Sequence, residues 1–221
     1  MTLARRLIAI VEVSDDAESC LSLAKDLVAR GADEIWLKAG ENVPQVRFQR
    51  TISQMLLSVF VPVVGLCRSG GDRIAVDVSE LNSFDPLQQI RAIAEEMGQD
   101  SLSALVPVSK TETGMWELVV RPGYMGTGLD VIGMVFGLVK AGVQEVILDG
   151  AVDTGLLNLF YGNLPVPLVT LCGQADEEHV LQMFLSGADA VAFYQTAYLE
   201  SDFFANTKSL LVKNGFPTRL T

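Results

Sequence analysis

Short runs of β-branched and aliphatic residues alternate along the chain with longer stretches in which apolar positions recur every three or four residues. That alternation is the pattern of βα units wound around a parallel sheet. It predicts eight strands, over residues 6–11, 34–37, 61–66, 74–78, 102–108, 146–148, 167–171 and 190–193. Helices are predicted over 17–30, 45–58, 129–140, 176–185 and 202–213. One more opens at Asp85-Pro86, an N-cap followed by the proline that suits a first helical turn. Gly31 stops the first helix. Residues 116–120 read as the return strand of a hairpin leaving the fifth strand, with Gly123-Tyr124-Met125-Gly126-Thr127-Gly128 as its tip and exit.

An internal repeat supports the count. Gly31-Ala32-Asp33-Glu34-Ile35-Trp36-Leu37 resembles Gly142-Val143-Gln144-Glu145-Val146-Ile147-Leu148, and Val61-Pro62-Val63-Val64-Gly65-Leu66-Cys67 resembles Val166-Pro167-Leu168-Val169-Thr170-Leu171-Cys172. Asp72-Arg73-Ile74-Ala75-Val76 resembles Ala188-Asp189-Ala190-Val191-Ala192. Matches in one order predict two similar four-strand halves. Eight strands of about five residues can close and leave no sheet edge. The expected fold is an α/β (βα)8 barrel of two half-barrels, one domain over 1–221; the rival open doubly wound sheet lacks its glycine-rich fingerprint here. Only seven residues, 67–73, separate the third strand from the fourth. A helical crossover needs a dozen or more, so the third helix is expected to be absent or reduced to a turn. The strand surface left bare there is expected to join a second copy of the chain.

Composition narrows the class. The 221 residues are 49% apolar and 19% charged, which suits one core-rich domain and excludes disorder. No apolar run reaches the ~18 residues that cross a bilayer, and no signal peptide is legible. A net charge of −11 disfavours nucleic acid and anionic membranes. Three cysteines without a CxxC spacing suggest neither a disulfide framework nor a zinc site; no metal or cofactor is expected, and a reducing cytoplasm fits.

Three segments carry a family likeness: Leu3-Ala4-Arg5-Arg6-Leu7-Ile8 with Val11-Glu12-Val13, Phe184-Leu185-Ser186-Gly187-Ala188-Asp189-Ala190, and residues 211–220. In order and spacing the chain resembles the cyclase subunit of imidazole glycerol phosphate synthase, nearly end to end. The resemblance implies two aspartates as acid and base at the tops of the first and fifth strands, and two phosphate sites on glycine-rich loops. It also implies a glutaminase partner docked on the opposite barrel face, whose ammonia enters through a ring of charged residues in the barrel floor.

Against that pattern, Glu12 stands at the first-strand position. Its extra methylene moves the carboxylate by about 1 Å, a shift that can cost about 10²-fold. The register puts Val108, which transfers no proton, at the fifth-strand position. Leu66-Cys67-Arg68 replaces the glycines after the third strand, and a side chain blocks a backbone's approach to an anion. Arg68 either binds phosphate in a new way or is simply solvated. The fourth strand ends in Asp77, a charge that repels phosphate; Gly173 alone remains after the seventh. Asp153 matches an acidic family position loosely or is an ordinary helix cap. Catalytic candidates are therefore Glu12 and Asp153; substrate-binding candidates are Arg68, Asp77, Thr127 and Gly173. The loop after the first strand is short, which reads as lost chemistry. The floor positions are filled by Arg6, Glu34, Arg73 and Glu145, either as a gate or as a plug of ion pairs.

His179, the single histidine, falls on a helix and reads as a surface residue; Cys67 and Cys172 read as small buried hydrophobes. Lys38 and Asp149 are matched at the ends of the second and sixth strands; Lys38 is either solvated, paired or a Schiff-base lysine. Three functions stay open. They are a cyclase-lyase with a glutaminase-like subunit, an enzyme of the same fold on another small phosphorylated or carboxylated substrate, and a non-catalytic barrel that binds a partner or ligand.

Overall fold

The structure, a computed structural model, describes residues 5–14, 16–40, 43–59, 61–66, 71–81, 85–97, 102–120, 125–173, 176–194 and 202–219. Eight strands close a parallel barrel: β1 (Arg6–Val13), β2 (Glu34–Ala39), β3 (Val63–Leu66), β4 (Arg73–Asp77), β5 (Leu102–Lys110), β8 (Glu145–Gly150), β9 (Leu168–Cys172) and β10 (Ala190–Phe193). They pair in that order, with β4 on β5 and β10 back on β1. The helices are α1 (Ala17–Ala29), α2 (Gln45–Ser58), α3 (Pro86–Met97), α4 (Val131–Lys140), α5 (Thr154–Phe160), α6 (Glu177–Leu185) and α7 (Phe203–Lys213). β3 ends at Leu66 and β4 starts at Arg73, leaving too little chain for a crossover helix. β4 instead runs into a 3-10 turn, Val78–Glu80.

β5 is longer than predicted and continues above the rim, where β6 (Trp116–Val120) pairs with it antiparallel and β7 (Met125–Asp130) pairs with β6. The helix expected from 129 begins only at Val131. Asp130 is its N-cap, accepting from the Gly133 N–H at 2.7 Å, and Glu117 draws Gly128 into the hairpin at 2.8 Å. Thr127 belongs to this hairpin: it donates to the Leu118 carbonyl at 2.7 Å and accepts from the Leu129 N–H at 3.2 Å.

The strands alternate between two cores. Leu7, Ala9, Val11 and Val13 of β1 face the helix layer, while Ile8 and Ile10 fill the barrel interior with Trp36, Val64, Leu66, Leu105, Ile147, Val169 and Leu171. Each helix turns one stripe to the outer core; Cys20, Ala24 and Leu27 do so on α1, which Asp16 caps. α4 lies so close to α3 that a Cβ on Gly137 would sit 2.8 Å from Leu87 Cδ1. Phe203 and Phe204 of α7 meet Phe193 of β10 edge-on, at 5.0 and 6.1 Å between ring centroids; such pairs add about 0.5–1.5 kcal/mol beyond area burial.

The repeated aspartates have one job in common. Asp33 accepts the Leu7 N–H at 2.9 Å, Asp72 the Val63 N–H at 2.8 Å and Asp189 the Leu168 N–H at 3.0 Å. Each aspartate lies just before a strand and fastens the bottom of its neighbour. Two are also neutralised: Lys208 reaches Asp33 at 2.7 Å, and Arg5 reaches Asp189 at 2.5 Å while stacking on Phe184 and Phe216. No described helix is long and apolar enough to cross a membrane.

Candidate functional site

Because side chains alternate along a strand, the first inward residue of each strand lies at the barrel floor and the last at the mouth. At the floor, Arg6, Glu34, Arg73 and Glu145 form a closed ring. Arg6 donates to Glu34 at 2.8 Å and to Glu145 at 2.5 Å; Arg73 donates to Glu145 at 3.1 Å and also to Glu34. The remaining acceptor positions are used too. Trp36 Nε1 donates to Glu34 Oε1 at 2.7 Å, and Ser103 Oγ to Glu145 Oε1 at 3.2 Å. The two glutamate side chains are 1% and 2% exposed, the two arginines 16% and 23%. The carboxylates therefore rely on the guanidiniums, which still reach solvent. Burial opposes the charge on Arg6, but Glu145 and Glu34 outweigh it and hold the guanidinium above its ordinary range. Trp36, fully buried, lies on the interior side of the ring.

The mouth is lined by the next inward positions. Glu12 follows Ile8 and Ile10, Lys38 follows Trp36, Asp77 follows Ala75, and Asp149 follows Ile147. Glu12 and Lys38 are direct cross-strand partners, and the Lys38 ammonium stands 5.3 Å from the Tyr194 ring centroid. Gly40 lets the chain pass close to this corner: a Cβ there would lie 2.9 Å from the Val13 carbonyl oxygen and 3.5 Å from Glu12 Oε1. Asp77 is 2% exposed, and its Oδ1 accepts from Ser79 N and Oγ at 2.9 and 2.6 Å. It caps the 3-10 turn beneath the mouth.

Two assignments change. Val108 does not face the mouth: it is packed in the outer core with Ala104 and Val106, while Leu105 points inward. One residue of register turns a side chain to the other face, so Pro107 holds the inward position at the top of β5. The substitution still leaves no carboxylate there. His179 is exposed, as expected, but it also lines a cavity together with Cys172.

Asp153 caps α5, accepting the Leu156 N–H at 2.9 Å, and pairs with Lys110 at 2.7 Å. Burial pushes its carboxyl up, but Lys110 and the backbone N–H groups of Leu156 and Gly155 outweigh that and hold it below the ordinary range. Lys110 in turn stands 4.7 Å from the Trp116 ring centroid. An ionised, ion-paired cap is a poor proton donor. Arg68 and Cys67 lie outside the described residues. Gly173, just above β9, lines the same cavity as His179; it has a volume of about 190 Å³ and is also bordered by Gly150, Thr170, Cys172 and Met183. The sequence signal for it was a histidine and a methionine four apart on one helix, opposite a strand-end cysteine. Among the described residues no group of three or more His, Cys, Asp or Glu side chains could hold a metal ion.

No family model matches the chain. It is 25% identical to the imidazole glycerol phosphate synthase subunit HisF of Streptomyces avermitilis, covering 99% of this chain and 100% of that protein. HisF of Dictyoglomus turgidum is 26% identical over 95% of this chain and 90% of its own length. HisF of Pyrococcus furiosus is 24% identical over 99% of both. Among solved structures, wild-type GGGPS from Thermoplasma volcanium superposes with a TM-score of 0.66 at 15% identity, covering 95% of this chain and 92% of that one, which shows the fold alone. Similar to HisF proteins over nearly the whole of both lengths, the chain is a divergent homologue of the cyclase subunit of imidazole glycerol phosphate synthase.

Proposed function

We propose that this barrel has lost the cyclase reaction and keeps the HisF frame for another use of its mouth. One observation carries the reading: opposite Glu12, β5 turns Leu105 and Pro107 inward, so the acid-base pair has a single carboxylate. The other inward carboxylates come from β4 and β8, and that of Asp77 is bonded to Ser79. Asp153, the other acidic candidate, is committed to Lys110. With a proton donor missing, a loss of about 10²–10⁴-fold is expected from this term alone. The test is formation of imidazole glycerol phosphate by the purified chain supplied with ammonium salt, together with rescue of a histidine auxotroph lacking HisF. No product and no growth are expected; growth without histidine overturns the reading.

A second reading is an enzyme acting on another small phosphorylated or carboxylated substrate. The Glu12–Lys38 pair beside Tyr194 favours it, because Lys38 is the one inward cation among the described mouth residues. Thermal shift with phosphorylated sugars and small carboxylates tests it, since a ligand at 100 times its Kd stabilises by about 2.7 kcal/mol.

At the floor we read the charge ring as a plug. It keeps a polar face on which a glutaminase-like subunit could dock. The gap beside β4, where Ile74 and Val76 are partly exposed near Leu56 and Leu57 of α2, is read as a contact between copies, which sedimentation at micromolar concentration tests. We place the protein in the cytoplasm and read its two four-strand halves as repeats.

A further inference from the structure

The cavity beside the mouth has a chemistry of its own. It lies between the upper ends of β8 and β9 and the first turns of α6. Cys172 ends β9 on the face turned to the helices, is 5% exposed and forms no disulfide. Across from it, His179 and Met183 stand one turn apart on α6, which puts both side chains on one helix face. Thr170 lines the same space, is 1% exposed, and its hydroxyl has no hydrogen-bond partner among the described residues. A buried hydroxyl without a partner is a group that a ligand can satisfy. The remaining walls, Val152 and Leu171 among them, carry no charge. At about 190 Å³ the space suits a small molecule, since a dry cavity of about 150 Å³ holds benzene.

We propose that this cavity is a thiol site that captures a small uncharged aldehyde on Cys172. His179 takes the thiol proton, and the sulfur adds to the carbonyl carbon. The C–S bond forms as the C=O π bond breaks, and the oxygen takes up the proton that left the sulfur. The product is a hemithioacetal; nothing leaves and no oxidant is consumed. Thr170 donates to the carbonyl oxygen as charge develops on it. The inference stands apart from the loss of cyclase chemistry, because it uses none of the inward-facing residues of the mouth.

Iodoacetamide alkylation of the folded full-length chain, resolved by peptide mass spectrometry, tests it. Cys20 is the internal reference: it is equally buried but packed under α1, where its thiol meets Ser14 and the Glu12 carbonyl oxygen. Cys172 is expected to react on the order of 10-fold faster than Cys20. His179→Gln, at an exposed position with circular dichroism to confirm the fold, is expected to slow Cys172 about 10-fold and leave Cys20 unchanged. Propionaldehyde is expected to protect Cys172 alone, and Thr170→Val to weaken that protection without changing alkylation. Equal rates at the two cysteines, an unchanged rate in His179→Gln, or no protection by propionaldehyde overturns the proposal.

Discussion

The floor ring gives the sharpest quantitative test. In Glu145→Gln the amide can still accept from Ser103, but two guanidiniums then share the single charge of Glu34. Breaking a buried ion pair costs about 3–5 kcal/mol, mostly because the surviving charge is left uncompensated. Arg6 and Arg73 retain 16% and 23% exposure, so water can relieve part of that penalty. The low end, about 3 kcal/mol, is therefore expected. For a chain of this size each kcal/mol moves Tm by about 2–4 °C, so the variant should melt about 6–12 °C lower. Urea titration should move the midpoint and leave the slope unchanged. Adding Arg73→Met removes the excess cation, and the double variant should be less destabilised than the sum of the two singles. A Glu145→Gln protein melting within about 2 °C of the parent, or strict additivity in the cycle, would show that the ring is solvated and contributes little.

Three further outcomes follow from other places in the fold. Trp36→Ala empties the interior above the ring and removes a donor to Glu34; a loss of about 3–5 kcal/mol in urea unfolding is expected. Gly150 has φ of 103° and its Cβ would lie 2.4 Å from the Val108 carbonyl oxygen; Gly150→Ala should cost about 2–3 kcal/mol by thermal melting, whereas Gly173→Ala, where a Cβ meets nothing within 4 Å, should be near neutral. Asp153 has a folded pKa below its unfolded one, so its contribution is complete above the ordinary carboxylate range and fades as pH falls through the folded value. With side chains 42–43% exposed in its pair with Lys110, that contribution is below about 1 kcal/mol; Asp153→Asn should narrow the stability gap between pH 7 and about 3.5, read as urea midpoints.

The barrel was legible because its signals are dense. Each parallel strand carries a run of buried aliphatic residues, and the charged residue opening β1, β2, β4 and β8 marks the floor. β7 was not legible. Its six residues, two of them glycine, are all exposed, so no apolar alternation announces a strand. The error at Val108 has a different origin. Matching to a family fixes a position to within a residue, and one residue decides the face. The burial of Asp77 depended on a 3-10 turn that Ser79 creates by bonding back to it, a local feature without a periodic signature. The Cys172–His179 cavity joins a strand end to a helix face, and only packing reveals their proximity.

The aspartates that fasten neighbouring strands, Asp33, Asp72 and Asp189, all act at the lower end of the barrel. Anchorage is therefore separated along the barrel axis from Glu12, Lys38 and Tyr194 at the upper end. Substitutions around the mouth can accumulate without loosening the closure of the sheet, which gives a lineage room to exchange one ligand chemistry for another while the frame persists.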